Sequence, residues 1–191
     1  MTDPGTFTTG QNGATNITAI VITHEHGDHF HIESVKEVLK NNPNAAIITN
    51  TAVGKLLEAE GIPHTKVEDT ESTSIEGISI KGFGQKHAEI YGDYGQVQNT
   101  GYMIDNLCYP GDGFAHPDMP VDILALPVAG PWMKIKECID YAKEVKPRIC
   151  FPVHDAIISP SSSFVYTMIE KFLNESNISM KKLELEKEEE I

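Results

Sequence analysis

The sequence predicts a mixed α/β domain in which sheets pack on one another and helices cover the outer faces. Two patterns carry that expectation. Strand and helix signals alternate near both ends of the chain, while residues 64–109 read as short strands separated by turns. A third observation sets the number of units. No repeat or low-complexity linker interrupts the 191 residues, so one domain over 1–191 is expected.

Met1 to Asn16 reads as turn and loop, with Asp3-Pro4-Gly5 followed by Thr, Gly, Gln and Asn. Ile17 to Thr23 is a buried strand by length and β-branching. Ser34 to Asn41 places Val35, Val38 and Leu39 at helical spacing, with Lys36 and Lys40 opposite. Ala45 to Thr49 is a second strand. Thr51, as N-cap, opens a helix through Leu56 and Leu57 that stops at Gly61-Ile62-Pro63. Short strands with turns follow from His64 to Gln85, including the alternating Ser74 to Ile80. Tyr102 to Ile104 and Leu107 to Tyr109 flank the turn residues Asp105-Asn106. Ile123 to Leu126 is a buried strand. Ile135, Ile139, Ala142 and Val145 mark a helix closed by Pro147, and Ile149 to Val153 returns as a strand. Phe164 to Leu173 is a helix with Met168, Ile169 and Phe172 inward, and Met180 to Leu185 a last edge strand. The charged residues 186–191 are expected to form a disordered tail.

Composition excludes several function classes. Forty per cent apolar and 23% charged residues are proportions of a soluble globular protein. Fifteen Lys+Arg against 28 Asp+Glu give a formal charge of −13, which repels phosphodiester backbones, and no basic patch offsets it. No nucleic-acid partner is expected. The longest apolar run, Ile123 to Met133, is broken by Pro127, Gly130 and Pro131, and no secretory signal opens the chain. No membrane partner and a cytoplasmic location follow. Cys108, Cys138 and Cys150 are odd in number and form no CxxC pair, as buried free thiols would.

The chemistry gathers at Thr23-His24-Glu25-His26-Gly27-Asp28-His29, directly after the first strand. If the strand's last residues stay extended, His24 and His26 point to one side. Gly27 permits a sharp turn, and Asp28 and His29 arrive at the mouth of the next helix. Ordinary loop polarity gives no reason to group three imidazoles with a carboxylate, whereas metal ligation does. Glu25 alternates outward and reads as solvated. Such a segment offers ligands to two cations, and the rest must come from His or carboxylate residues at other strand ends. Three fit: His87 after the strand ending near Gln85, Asp112 in Gly111-Asp112-Gly113, and His154 at the end of Cys150 to Val153.

The order His-x-His-x-Asp-His, a later His, an Asp within Gly-Asp-Gly and a terminal Pro-x-His resembles the metallo-β-lactamase superfamily. Asp3-Pro4-Gly5 and Leu126 to Trp132 look like the branch containing the ascorbate-6-phosphate lactonase-like hydrolases. That resemblance implies an αββα four-layer sandwich with the site at one edge between the sheets. It implies that His24, His26 and His87 hold one metal, that Asp28, His29 and His154 hold the second, and that Asp112 bridges both. Two divalent cations are the implied cofactors, zinc first by the imidazoles, with manganese or iron admitted by the oxygen donors. Relatives that use di-iron for redox chemistry carry Glu at the place of His26, so the His implies hydrolysis. Asp28 is the implied catalytic residue, orienting the nucleophile and moving its proton.

The expected activity is metal-dependent hydrolysis of a small anionic or cyclic ester, lactone or related small molecule. A phosphodiesterase or nuclease of the same superfamily, and a non-catalytic metal-binding subunit, are the alternatives. The resemblance also implies a β-hairpin ahead of Asp3. The chain begins at Met1, so that hairpin is expected to be missing and homo-oligomerisation through exposed strand edges is expected. His31 reads as capping the first helix, His64 as surface, and Trp132 as packing. His116 is a candidate for the pocket wall, and Tyr91 with Tyr94 for a lid.

Overall fold

A computed structural model describes every residue except 186 and 188. Near the N-terminus, β1 (Ala19–Ile22), β2 (Ala46–Thr49) and β3 (Thr65–Lys66) form a parallel sheet in that order. The helices α1 (Ile32–Asn41) and α2 (Thr51–Ala59) connect them. A larger sheet takes β4 (Ser72–Ile75), β5 (Ile78–Phe83), β6 (Gly101–Ile104), β7 (Leu107–Tyr109), β8 (Ile123–Pro127), β9 (Ile149–Val153) and β10 (Ser179–Met180) in sequence order. Pairing is antiparallel from β4 to β7 and parallel from β7 to β10. Between these strands lie α3 (Ile135–Val145) and α4 (Phe164–Asn174).

Three apolar clusters stack the molecule into four layers. Ile20, Ile22 and Ile47 pack with Val35, Val38, Val53 and Leu57 of α1 and α2. On the opposite face, Val21 and Ile48 meet Ile80 and Tyr102 of the larger sheet. Beyond it, Met103, Leu124, Leu126 and Cys150 pack on Cys138 and Ala142 of α3 and Ile169 and Leu173 of α4. The order is helix, sheet, sheet, helix. It explains the unbroken apolar run of β1, since a strand buried on both faces has no polar side to alternate. All three cysteines are buried and unpaired.

Strand direction fixes the site. Because β5 and β7 both run antiparallel to β6, and β8 and β9 run parallel to β7, the C-terminal ends of β5, β7, β8 and β9 open on one edge. The segments holding His87, Asp112, Trp132 and His154 follow those four ends.

The structure corrects several local expectations. The side chain that caps α2 is Asn50, which accepts from the Val53 amide, so Thr51 is the first helical residue. Ser74 to Ile80 is a hairpin: Glu76 and Gly77, with φ of 50° and 90°, make the two-residue turn that pairs Ile75 with Ile78. Phe172 is 37% exposed, and Leu173 takes the inward place one turn after Ile169. The last strand is only Ser179–Met180, not Met180 to Leu185. His64 is half-buried beneath α2. Of the tail expected over 186–191, residues 186 and 188 lie outside the described residues.

Candidate metal centre

The backbone leaves β1 and turns tightly. The amides of His29 and Phe30 both donate to the His26 carbonyl, which swings Asp28 and His29 back toward the strand end. Gly5 lets the N-terminal segment pass beneath this turn, since a Cβ there would lie 1.8 Å from the Asp28 carbonyl oxygen. Gly111, with φ of 63°, does the same for the loop after β7, where a Cβ would meet Asn99 Oδ1 at 2.3 Å. Asn99 in turn accepts the Asp112 amide at 3.1 Å. His154 sits in the left-handed region (φ 61°), a conformation that costs about 1–2 kcal/mol for a residue with a Cβ.

All seven predicted donors converge. His24, His26 and His87 form one group, and Asp28, His29, Asp112 and His154 a second; within these groups the ligating atoms lie within 4.8 Å of one another. The His24 ring is 4.8 Å from His26 and 5.1 Å from His87, while His29 and His154 stack at 5.4 Å. Asp112 stands between the groups, with Oδ1 3.1 Å from His29 Nε2 and Oδ2 3.3 Å from His87 Nε2 and 3.1 Å from His154 Nε2. Asp28 Oδ2 lies 3.3 Å from His154 Nε2.

The donor set fits cations. His24 Nε2, His87 Nε2, His154 Nε2 and Asp112 Oδ1 are buried without a hydrogen-bond partner, which is costly unless something else satisfies them. Burial, helped by the neighbouring His29, pulls His24 down to about 2, so its ring is neutral at physiological pH, the form that could bind a cation. Burial also opposes charge on His29 and His154. The carboxylates of Asp112 and Asp3 at His29, and of Asp112 and Asp28 at His154, overcome it and push them up to about 10 and about 9. Asp28 is drawn down to about 2, chiefly by the His154 imidazole that faces its carboxylate at 3.3 Å. The field that holds protons on those imidazoles is equally one that attracts a divalent cation.

Outer contacts orient these side chains. His29 Nδ1 meets Asp3 Oδ2 at 2.7 Å, His24 Nδ1 meets Thr23 Oγ1 at 3.0 Å, and His87 Nδ1 lies 2.6 Å from the Ala88 carbonyl. Trp132 Nε1 donates to Asp112 Oδ2 at 2.7 Å. Neither Asp3 nor Trp132 was expected to serve the ligands, although Trp132 follows the end of β8 just as the other donors follow their strands. Two clefts reach the cluster, and Asp28 lines both: one of about 460 Å³ beside Ile90, Tyr94 and Trp132, the other of about 190 Å³ beside Asp3, Phe7 and Leu185. His31 occupies the N-cap position of α1 and its Nδ1 lies 2.9 Å from Ser34 Oγ. His116 is exposed and paired with Glu144 at 3.1 Å, away from both clefts. Tyr94 reaches the larger cleft, while Tyr91 is 84% exposed.

Residues 1–154 match the family model described as a β-lactamase superfamily domain. The chain belongs to that superfamily. Protein Rv0786c of Mycobacterium tuberculosis is 34% identical to it over 170 residues, covering 86% of this chain and 79% of that protein. A UPF0173 metal-dependent hydrolase of Thermococcus onnurineus is 28% identical over 148 residues, 71% of this chain and 65% of its own length. The chain therefore spans about two thirds of that second relative. Among solved structures, a Parabacteroides distasonis protein superposes with a TM-score of 0.73 at 21% identity, covering 97% of this chain and 84% of that one. The helix–sheet–sheet–helix order is thus a superfamily architecture. No described helix is long and apolar enough to cross a membrane.

Proposed function

We propose that the chain is a metal-dependent hydrolase acting on a small ester, lactone or related bond. The observation that carries this is the pair of donor groups meeting at Asp112 on the floor of an open cleft. His24, His26 and His87 would hold one cation, Asp28, His29 and His154 the other, and Asp112 both. Zinc is the first choice for three imidazoles, and the oxygen donors also suit manganese or iron. Such ions supply Lewis acidity and lower the pKa of a water to about 7. The UPF0173 relative, described as a metal-dependent hydrolase, supports the same reading. Its cyclic-ester or lactone part rests on the likeness of Asp3 to Gly5 and Leu126 to Trp132 to the lactonase-like branch.

The chain's own residues divide the work. Asp28 is the donor-group carboxylate most open to solvent, with 25% of its side chain exposed against 4% for Asp112, so it can touch both substrate and nucleophile. It is ionised at neutral pH and placed to accept a proton. Ile90, Tyr94 and Trp132 line the larger cleft beside Asp28 and give a substrate a partly apolar wall to rest on. With a formal charge of −13, the surface disfavours a polyanionic substrate such as nucleic acid.

A panel of lactones, thioesters and phosphodiesters tests the proposal. Turnover should require added divalent metal, stop with chelator, and fall by about 10²-fold or more in Asp28→Asn. Metal-loaded protein that turns over nothing on the panel, or an Asp28→Asn variant as active as the native chain, would overturn it.

A further inference from the structure

Asp112 is held by more than histidines. Its Oδ2 faces His87 of one donor group and His154 of the other, at 3.3 Å and 3.1 Å, and receives the Trp132 indole N–H at 2.7 Å. An indole N–H can only donate, so the bond has a single sense. The ring is 6% exposed and stands edge-on to both imidazoles, its centroid 6.0 Å from each, with Phe114 packed at 5.3 Å. Gly130 makes the approach feasible, because a Cβ there would lie 2.8 Å from the indole nitrogen.

We propose that Trp132 is a positioning residue that fixes the rotation of the Asp112 carboxylate and so keeps Oδ2 facing both donor groups. The terminal torsion of an aspartate is broad and roughly two-fold, so packing alone selects it weakly. A charge-assisted bond of this length selects one orientation. Without it Asp112 can turn toward either group. His24, His26 and His87 retain three nitrogens of their own, whereas the group of Asp28, His29 and His154 depends on Asp112 to complete it. The loss therefore falls on the second cation. This inference rests on the metal-centre reading of the seven donors and not on hydrolysis.

Trp132 is the sole tryptophan of the chain, so benzothienylalanine incorporated in place of tryptophan alters this position alone. That residue keeps the ring shape and removes the N–H. The native chain, the benzothienylalanine protein and Trp132→Phe are titrated with Zn²⁺ against a chromogenic chelator, with circular dichroism confirming the fold. Both variants should bind the first equivalent as the native chain does and the second about 10–100-fold more weakly. Native-like binding by the benzothienylalanine protein, whether or not Trp132→Phe is impaired, would leave only ring packing and overturn the proposal. A native chain that takes up no zinc would remove the metal centre itself, and this role with it.

Discussion

Asp3 grips three groups at once. Its Oδ1 accepts the Thr23 amide at 2.8 Å, and its Oδ2 accepts the Thr23 hydroxyl at 2.7 Å and faces His29 Nδ1 at 2.7 Å. A carboxylate on the far nitrogen of a ligating imidazole fixes its tautomer and raises its basicity. Asp3→Ala should therefore lower metal affinity by about 10–100-fold, read by chelator competition. Affinity equal to that of the native chain would reduce the contact to a passive one. The convergence of the seven side chains is legible because they cluster after β1 or end other strands, and a strand end is where a side chain can leave a sheet. In the sequence Asp3 shows a turn and a family-like Asp-Pro-Gly motif but no partner, since nothing local ties residue 3 to residue 29. The indole of Trp132 escaped for a related reason: an apolar residue among glycine and proline reads as packing, and the direction of its N–H is a property of the folded chain alone.

The start of α2 joins the two sheets to the centre. Asn50, fully buried, caps the helix through the Val53 amide and donates to the Thr23 carbonyl at 2.8 Å, one residue before His24. Asn50→Ala removes a cap worth about 1 kcal/mol and a buried hydrogen bond worth about as much again. For a chain of this size that lowers Tm by about 4–8 °C, measurable by thermal unfolding followed at 222 nm. An unchanged Tm would mean that water replaces the side chain at both partners. At this scale the strands and helices were largely readable, because β1, β2 and β8 are short apolar runs and the helices repeat every three to four residues. What escaped was phase. Asn50 and Thr51 are both good caps, and only the extended backbone at Asn50 decides between them. Phe172 and Leu173 are both apolar, and the packing of α4 on α3 turns Leu173 inward.

Across the whole molecule, the centre is a seam. Its first donors leave the end of β1 in the smaller sheet, and the others leave β5, β7 and β9 in the larger one. Folding thus brings Asp3, Asp28 and Asp112 together in a chain whose formal charge is already −13. A divalent cation held by the two groups would relieve that repulsion and tie one sheet to the other. Because His87, Asp112 and His154 lie far along the chain from His24 to His29, the unfolded chain completes neither donor group, and binding energy becomes folding energy. At a free-ion concentration one hundred times Kd, each ion adds about 2.7 kcal/mol, or about 5–10 °C in Tm for a chain of this length. Thermal unfolding in zinc should therefore run well above the same measurement in chelator. Asp112→Ala, which removes the carboxylate that completes the second group, should lose the second ion's share of that difference. Equal melting temperatures with and without zinc would mean that these seven side chains meet for some purpose other than holding ions.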